Sequence, residues 1–226
     1  MATWIRESDT ASVTLGPLAP NYGAYFGIAS INHNYLPVSR RWVDELKTKF
    51  GQQDPVVFNG DGPAALAAAR EGIAELERLA VRFVVTPPGL DPYAERSDVK
   101  RVYADATLAI FELPAPAPYF ESVASACRLS IRDRDRVTAD CPASAVLVRR
   151  ELFFPGWQAS AGPDRLAIRA YQDLFQAVDL PAGHSEVRFR YSPPYIDWAW
   201  GAMFVGVALI VASAAAQASR LHRARG

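Results

Sequence analysis

Hydrophobic residues recur at helical spacing in two segments of the first half of the chain. Residues 39–50 place apolar side chains on one face, behind a serine suited to capping a helix start. Residues 64–80 repeat the pattern after Pro63, which fits a first helical turn. We therefore expect two amphipathic helices. Their apolar faces carry Trp42, Val43, Leu46 and Phe50 in the first and Leu66, Ala69, Ile73, Leu76 and Leu79 in the second.

Alternating apolar and polar positions predict strands in most of the remaining body. We expect a strand at 81–85 and a hairpin of 99–104 with 107–113, followed by a proline-rich linker at 114–119. Later strands are expected at 145–152, 165–171, 174–180 and 185–191, and the last of these points Val187, Phe189 and Tyr191 inward. Short strands at this spacing are typical of a β-sandwich.

These elements predict an α+β fold in several parts. The parts are a mixed α/β region at 1–113, an antiparallel β-sandwich at 119–195, a transmembrane helix at 198–218 and a basic tail at 219–226.

The predicted membrane helix contains no charged residue from Trp198 to Ala218. At 1.5 Å per residue such a helix is about 31 Å long, close to the thickness of a bilayer's hydrocarbon core. Trp198 and Trp200 lie at its upstream edge, where indole rings favour the headgroup level. The alternative is a buried core helix.

Arginines on both sides of this helix bear on its orientation. Arg220, Arg223 and Arg225 follow it, whereas Arg188 and Arg190 precede it. This bias places the tail in the cytoplasm and residues 1–196 outside a bacterial inner membrane crossed by a single span. Because residues 1–30 show no apolar signal-peptide core, we expect either the last part of a longer multi-spanning protein or a tail-anchored protein with a cytosolic body.

The two cysteines of the chain fall in one predicted hairpin. Residues 127–131 and 137–141 alternate around a turn at 133–135, a register that sets Ile131 opposite Val137 and Cys127 opposite Cys141. Two readings stay open. The cysteines are either buried free thiols in a reducing cytosol or a disulfide in an exported domain.

Residues 56–72 resemble a flavin-type dinucleotide fingerprint, with Gly60, Gly62 and Ala65 at the required spacing. The preceding apolar stretch is too short for a buried strand, and the next strand ends without an acidic residue for a ribose. We therefore favour a tight Asp61-Gly62 turn before a helix and expect no cofactor. A cytosolic flavoprotein is kept as a minor alternative.

Charge and histidine spacing exclude further classes. The chain carries 24 basic and 24 acidic residues without a basic stripe, which argues against a nucleic-acid partner. His33, His184 and His222 are too far apart to predict a metal site. No pattern predicts a catalytic residue.

A segment rich in asparagine and aromatic residues, 21–35, is the candidate contact for a carbohydrate. Aromatic faces stack on sugar rings while amides bind hydroxyl groups. A packed loop is the alternative. The candidate residues are Asn21, Tyr22, Tyr25, His33 and Tyr35.

Residues 152–195 resemble the C-terminal extracytoplasmic module of the YfhO-like bacterial membrane proteins. The segments 20–42 and 76–87 are similar to that family's Asn-aromatic segment and to one of its strands. One departure is 160–165, where the family usually carries Asp-Gly-Lys. The matching residues are Phe154, Pro155, Gly156 and Trp157 in one motif, and Leu180, Pro181, Gly183, His184, Val187, Phe189, Tyr191 and Pro193 in the other.

The resemblance implies a part in a GT-C-type glycosyltransferase system that uses a lipid-linked sugar. The acidic catalytic loop of such proteins would lie outside this chain, so the body would act as an accessory, acceptor-binding portion that is not catalytic alone. Membrane lipid, a multi-spanning membrane partner and a carbohydrate are the implied partners, and Trp157 joins the candidate contacts. The alternative is a stand-alone anchored binding or scaffold protein of the cell envelope.

Overall fold

The computed structural model describes residues 11–14, 28–32, 39–54 and 56–223, with the surroundings of side chains given from 28 to 215. The sugar-contact candidates Asn21, Tyr22, Tyr25, His33 and Tyr35 lie outside these residues. The α-helices are α1 (Arg40–Lys49), α2 (Pro63–Glu71), α3 (Ile73–Arg78) and α4 (Ile196–Arg223), with a short 3-10 helix at Val57–Asn59.

The described strands form three sheets, which together with the helices give an α+β fold. Sheet 1 contains β1 (Ala11–Thr14), β2 (Val81–Thr86), β3 (Lys100–Ala104) and β4 (Ala109–Glu112), in the order β1-β2-β4-β3. Within it, β1 pairs in parallel with β2, and the other pairs are antiparallel.

Sheets 2 and 3 are antiparallel throughout. Sheet 2 contains β6 (Arg128–Asp133), β7 (Arg136–Cys141), β9 (Trp157–Ala161), β10 (Asp164–Leu166) and β13 (Gly183–Tyr191), in the order β10-β9-β13-β7-β6. Sheet 3 contains β5 (Phe120–Val123), β8 (Ala145–Leu152), β11 (Arg169–Tyr171) and β12 (Phe175–Leu180), in the order β11-β12-β8-β5. We call these two sheets the two-sheet unit.

Helix α1 forms where the spacing predicts it. The hydroxyl of Ser39 accepts a hydrogen bond from the backbone N–H of Trp42 at 3.2 Å, which caps the helix start. Trp42 and Leu46 point into the core and are 2% and 0% exposed. The apolar face is therefore what fixes this helix against the rest of the body.

The second predicted helix is interrupted at Gly72, so the expectation of one continuous helix over 64–80 is wrong in that respect. A Cβ at Gly72 would lie 2.6 Å from the ring of Phe50 and would also meet the carbonyl oxygen of Ala68. The ring occupies the space that a side chain would need. The glycine thus lets α1 and the α2–α3 segment pack closely.

The dinucleotide fingerprint lacks its first strand. Val57–Asn59 is a single turn of 3-10 helix, and Pro63 follows Gly62 as the first residue of α2. The predicted helix after Gly62 is formed, and the strand–glycine–helix unit is not.

Sheet 3 is the middle layer of the body. One of its faces shares a hydrophobic core with sheet 1 and helices α1 to α3, which we call the N-terminal unit. In this core, Val148, Phe175 and Ala177 join Trp42 and Leu76. Its other face shares a second core with sheet 2, and that core includes Leu147, Val178, Val137 and Val187. The proline-rich stretch between the units is also packed, because the N–H groups of Ala115 and Ala117 donate to Glu77.

Two strand predictions need correction. Residues 165–171 form two strands, because β10 pairs with β9 in sheet 2 while β11 pairs with β12 in sheet 3. Tyr191 does not point into the core as Val187 and Phe189 do, and it is 41% exposed. It ends β13 and packs its ring against Phe154 and Trp157 instead.

Helix α4 extends away from the body, and no other helix or strand among the described residues packs against it. The stretch Ile196–Ala215 has a mean hydropathy of 1.8, and 0% of its most apolar window is buried. It is long and apolar enough to cross a membrane. The buried-core alternative is wrong for the part of α4 whose surroundings are described.

Candidate functional site

A disulfide joins Cys127 and Cys141 at the open end of the β6–β7 hairpin. The hairpin has the predicted register, with Ile131 opposite Val137. Cys141 also faces Gly183 at the beginning of β13, and β13 ends next to α4. The disulfide therefore lies at the end of the two-sheet unit far from α4.

An arginine is enclosed between sheets 2 and 3. Arg149 on β8 is 1% exposed, and its guanidinium donates to the hydroxyl of Tyr119 at 3.1 Å and to the side-chain oxygen of Gln176 at 3.2 Å. It also donates to the carboxylate of Asp135 at 2.6 Å, in an ion pair whose acidic side chain is 57% exposed. The buried cation thus has polar partners on several sides.

Aromatic rings surround the same guanidinium. Its central carbon lies 4.3 Å from the ring centre of Trp157, 4.7 Å from that of Phe189 and 5.7 Å from that of Tyr119. These distances allow favourable cation–π contacts, which strengthen when water is excluded. Trp157 is the one sequence-predicted contact residue that the structure describes, and it belongs to this arginine–aromatic stack.

Tyr119 extends the stack toward a second arginine. Its hydroxyl donates to the carboxylate of Glu151 at 3.0 Å, and the guanidinium of Arg134 lies 4.1 Å from its ring centre. Burial raises the pKa of Tyr119 well above its ordinary value, and Glu151 adds to that rise while Arg134 and Arg149 oppose it. The phenol is therefore held neutral and acts as a hydrogen-bond donor.

A small cavity lies where Arg134 and Glu151 meet the N-terminal unit. Its volume is about 140 Å³, and it is lined in part by Ser30 and Phe175. One terminal nitrogen of Arg134 is buried without a hydrogen-bond partner among the described residues. We call this space the seam cavity. It brings a cation, a carboxylate and an aromatic ring together beside the segment predicted to contact a carbohydrate.

A second cavity lies at the end of the two-sheet unit next to α4. It has a volume of about 290 Å³ and is lined by Phe154, Trp157, Arg165 and Leu166 among others. The indole nitrogen of Trp157 is buried and has no hydrogen-bond partner in the described part of the chain. We call this space the basal cavity. Its largely apolar wall suits a molecule with an apolar body.

At Gly156, the turn that borders the basal cavity packs against the segment that leads into α4. Its φ is +106°, a conformation that favours glycine, and a Cβ there would lie 2.7 Å from both the carbonyl oxygen of Ser192 and the ring of Tyr191. The N–H of Ser192 donates to the Gly156 carbonyl at 2.9 Å. The Pro155-Gly156-Trp157 turn is thus bound directly to the end of β13.

The sequence patterns above do not single out Arg149, although its position along β8 indicates that it points inward. Residues two apart on β8 share a face, so Arg149 follows Ala145 and Leu147 into the interior. The positive charge of Arg149 argues against an inward orientation, because arginine is rarely fully buried unless it is paired. Its partners come from distant strands and could not be identified from spacing.

Among the described residues, no three histidine, cysteine, aspartate or glutamate side chains come together as a metal site. Comparison with protein-family models, with curated proteins and with solved structures finds no match. Any functional assignment therefore depends on the geometry described above and on the resemblance of the motifs.

Proposed function

We propose that this chain is a membrane-anchored protein whose body lies outside the bacterial inner membrane, with residues 219–226 in the cytoplasm. The observation that carries this proposal is the disulfide between Cys127 and Cys141, because disulfides persist in oxidising compartments and are rare in the cytosol. The arginine bias around α4 supports the same orientation.

Topology is tested on intact cells that express the full chain. After mild reduction by a membrane-impermeant reductant, an impermeant maleimide should label Cys127 and Cys141 without opening the inner membrane. A reporter that is active only in the cytosol, fused after Gly226, should be active. Labelling that appears only after the inner membrane is opened would contradict the proposed orientation.

We further propose that the two-sheet unit is a β-sandwich of a YfhO-like glycosyltransferase system, in which it binds the acceptor or docks to the catalytic membrane subunit. Contact between the two motifs that carry the resemblance supports this. Gly156 bonds to Ser192, and Trp157 and Phe154 pack on Tyr191, so the motifs form one structural unit beside α4.

The cavities suggest how such a module would take part. The seam cavity offers a guanidinium, a carboxylate and an aromatic ring, which are groups that bind sugar hydroxyls and ring faces. The catalytic acidic loop implied by the resemblance would belong to a part of the system outside this chain. Binding and positioning are therefore the roles that we assign to this body.

The role is tested in the cells that produce this chain, by comparing a deletion strain with its parent. Cells lacking the protein should incorporate less radiolabelled sugar into the cell envelope, and the full chain should restore incorporation. Glu151→Gln removes the cavity's carboxylate charge and should restore it poorly, whereas Glu186→Gln, at an exposed position outside both cavities, should restore it fully. Unchanged incorporation in the deletion strain would contradict the proposal.

The second candidate is a stand-alone anchored binding or scaffold protein. The enclosure of Arg149 favours it, since this buried charged group is hydrogen-bonded to three side chains of the body and serves packing. Purification in mild detergent separates the two candidates. A multi-spanning partner at fixed stoichiometry, with glycosyl transfer in the purified complex, supports the first, and binding of an envelope carbohydrate by the chain alone supports the second.

A further inference from the structure

Three exposed arginines of sheet 2 lie on its outer face near the start of α4. Arg188 on β13 is directly opposite Ser160 on β9, which in turn is opposite Arg165 on β10. Directly opposite residues point to the same face of a sheet, and the residues flanking Arg188 on β13 are buried. Arg190 is two residues further along β13 and shares the face. We call Arg165, Arg188 and Arg190 the arginine row.

The charges of the arginine row are not neutralised within the protein. None of the three forms an ion pair with another side chain in the part of the chain that the structure describes. Arg136, opposite Arg188 on β7, is different, because it is bonded to Asp133 at 2.6 Å and lies in the field of Glu186. Asp133 and Glu186 thus act on the neighbouring Arg136, although Glu186 also shares the outer face of β13 with Arg188 and Arg190.

The row is also close to the helix that would enter the bilayer. Residues 190 and 196 are six apart, so even a fully extended chain would separate them by roughly 20 Å. The actual segment turns, since the N–H of Ile196 donates to the carbonyl of Pro193 at 3.3 Å. Trp198 and Trp200 follow at once and are exposed, which suits the headgroup level.

We propose that the arginine row binds the phosphate groups of anionic phospholipids in the same bilayer that α4 spans. The proposal rests on the membrane anchoring stated under Proposed function. Guanidinium groups pair with phosphate through two parallel hydrogen bonds, and an exposed cation near an anionic bilayer is attracted within about one Debye length. No soluble partner is needed, because the helix already delivers the row to the headgroups.

Binding through this face would incline the body toward the membrane. The row belongs to the outer face of sheet 2, so engaging all three arginines turns that face to the bilayer and brings the disulfide end closer to it. Each arginine near an anionic surface changes such an equilibrium about fivefold. Together the three would shift the ratio of inclined to upright bodies on the order of 100-fold.

The test uses the full chain in nanodiscs of neutral phosphatidylcholine, or of the same lipid with phosphatidylglycerol added. Ser144→Cys places a donor dye in the exposed turn before β8, while the native cysteines stay in the disulfide. Energy transfer to an acceptor on lipid headgroups then reports the height of that end. We expect greater transfer in anionic discs, loss of the difference at 1 M NaCl, and its loss in R165Q/R188Q/R190Q.

The control variant R40Q/K49Q/R101Q removes three exposed cations outside sheet 2 that form no ion pair among the described residues, and it should keep the difference. Thermal unfolding establishes that both variants are folded. Equal transfer in neutral and anionic discs would overturn the proposal, as would equal loss in both variants. A chain that enters no disc would instead overturn the anchoring.

Discussion

At the scale of single residues, charged and polar side chains in this body are positioned by neighbours distant in sequence. Arg149 is held by Tyr119, Gln176 and Asp135, which come from a loop, a strand and a turn. Alternation along β8 indicates that Arg149 points inward, but it does not identify these partners. Burial could be predicted from the sequence at this position, whereas the reason that burial is tolerated could not.

Replacing Arg149 by methionine should strongly destabilise the body. The substitution leaves the side-chain oxygen of Gln176 buried without its donor and removes the cation from between Trp157 and Phe189. We expect a loss of about 2–4 kcal/mol in the free energy of unfolding, measured by urea titration in detergent. Arg169→Met, which breaks an exposed pair with Asp179, should cost less than about 1 kcal/mol. Equal losses would contradict this account.

A second residue-scale prediction concerns the β3–β4 hairpin. The hydroxyl of Tyr103 donates to Asp105 at 2.7 Å, and this bond, with the N–H groups of Leu108 and Thr107, lowers the pKa of Asp105 below its ordinary value. The bond therefore stabilises the hairpin above the carboxyl's unfolded pKa of about 3.9, and the contribution is lost as pH falls through the lower folded value. Tyr103→Phe should raise the Asp105 pKa in an NMR titration, while Tyr195→Phe should not.

At the scale of elements, local patterns predicted most strands but not the places where packing overrides them. The cysteine hairpin and α1 form at the predicted positions, because each pattern is complete within one segment. The split of 165–171 between two sheets depends on which strands lie beside it, and no local pattern contains that information. The same limit applies to Gly72, whose role depends on the ring of Phe50, the residue that follows α1.

Gly72→Ala tests this packing against intrinsic preference. Alanine favours helices over glycine by about 1 kcal/mol, so propensity alone predicts a gain in stability. We expect instead a loss of about 1–3 kcal/mol in urea titration, because the added methyl would meet Phe50 and the carbonyl of Ala68. The matched control is Gly60→Ala, where the nearest heavy atom to the new Cβ is 3.9 Å away. A gain at Gly72 would show that the ring of Phe50 does not limit the space at this position.

At the scale of the whole molecule, the body is layered around sheet 3, which contributes to both hydrophobic cores. The sequence predicted an N-terminal region and a strand-rich region separated by a proline-rich linker. It did not predict that Val148, Phe175 and Ala177 would complete the core of the first region. A shared core of this kind makes each region depend on the other.

Expression of residues 119–226 alone should therefore give a poorly folded product. Removing the N-terminal unit uncovers the apolar face of sheet 3, including Phe175, which is 2% exposed in the whole chain. We expect the fragment in detergent to bind a hydrophobic dye more strongly than the full chain and to elute as aggregates. A monodisperse fragment with the full chain's unfolding midpoint would contradict this dependence.

The short connection between β13 and α4 has a consequence for the working range of the protein. Only residues 192–195 separate the end of the strand from the helix, and the Gly156–Ser192 bond immobilises the first of them. Under the anchoring proposed above, a body tethered so closely would stay within a short distance of the membrane surface. Any ligand of such a body would be met at the lipid surface, and a flexible insert between β13 and α4 should then make its binding less dependent on membrane-bound molecules.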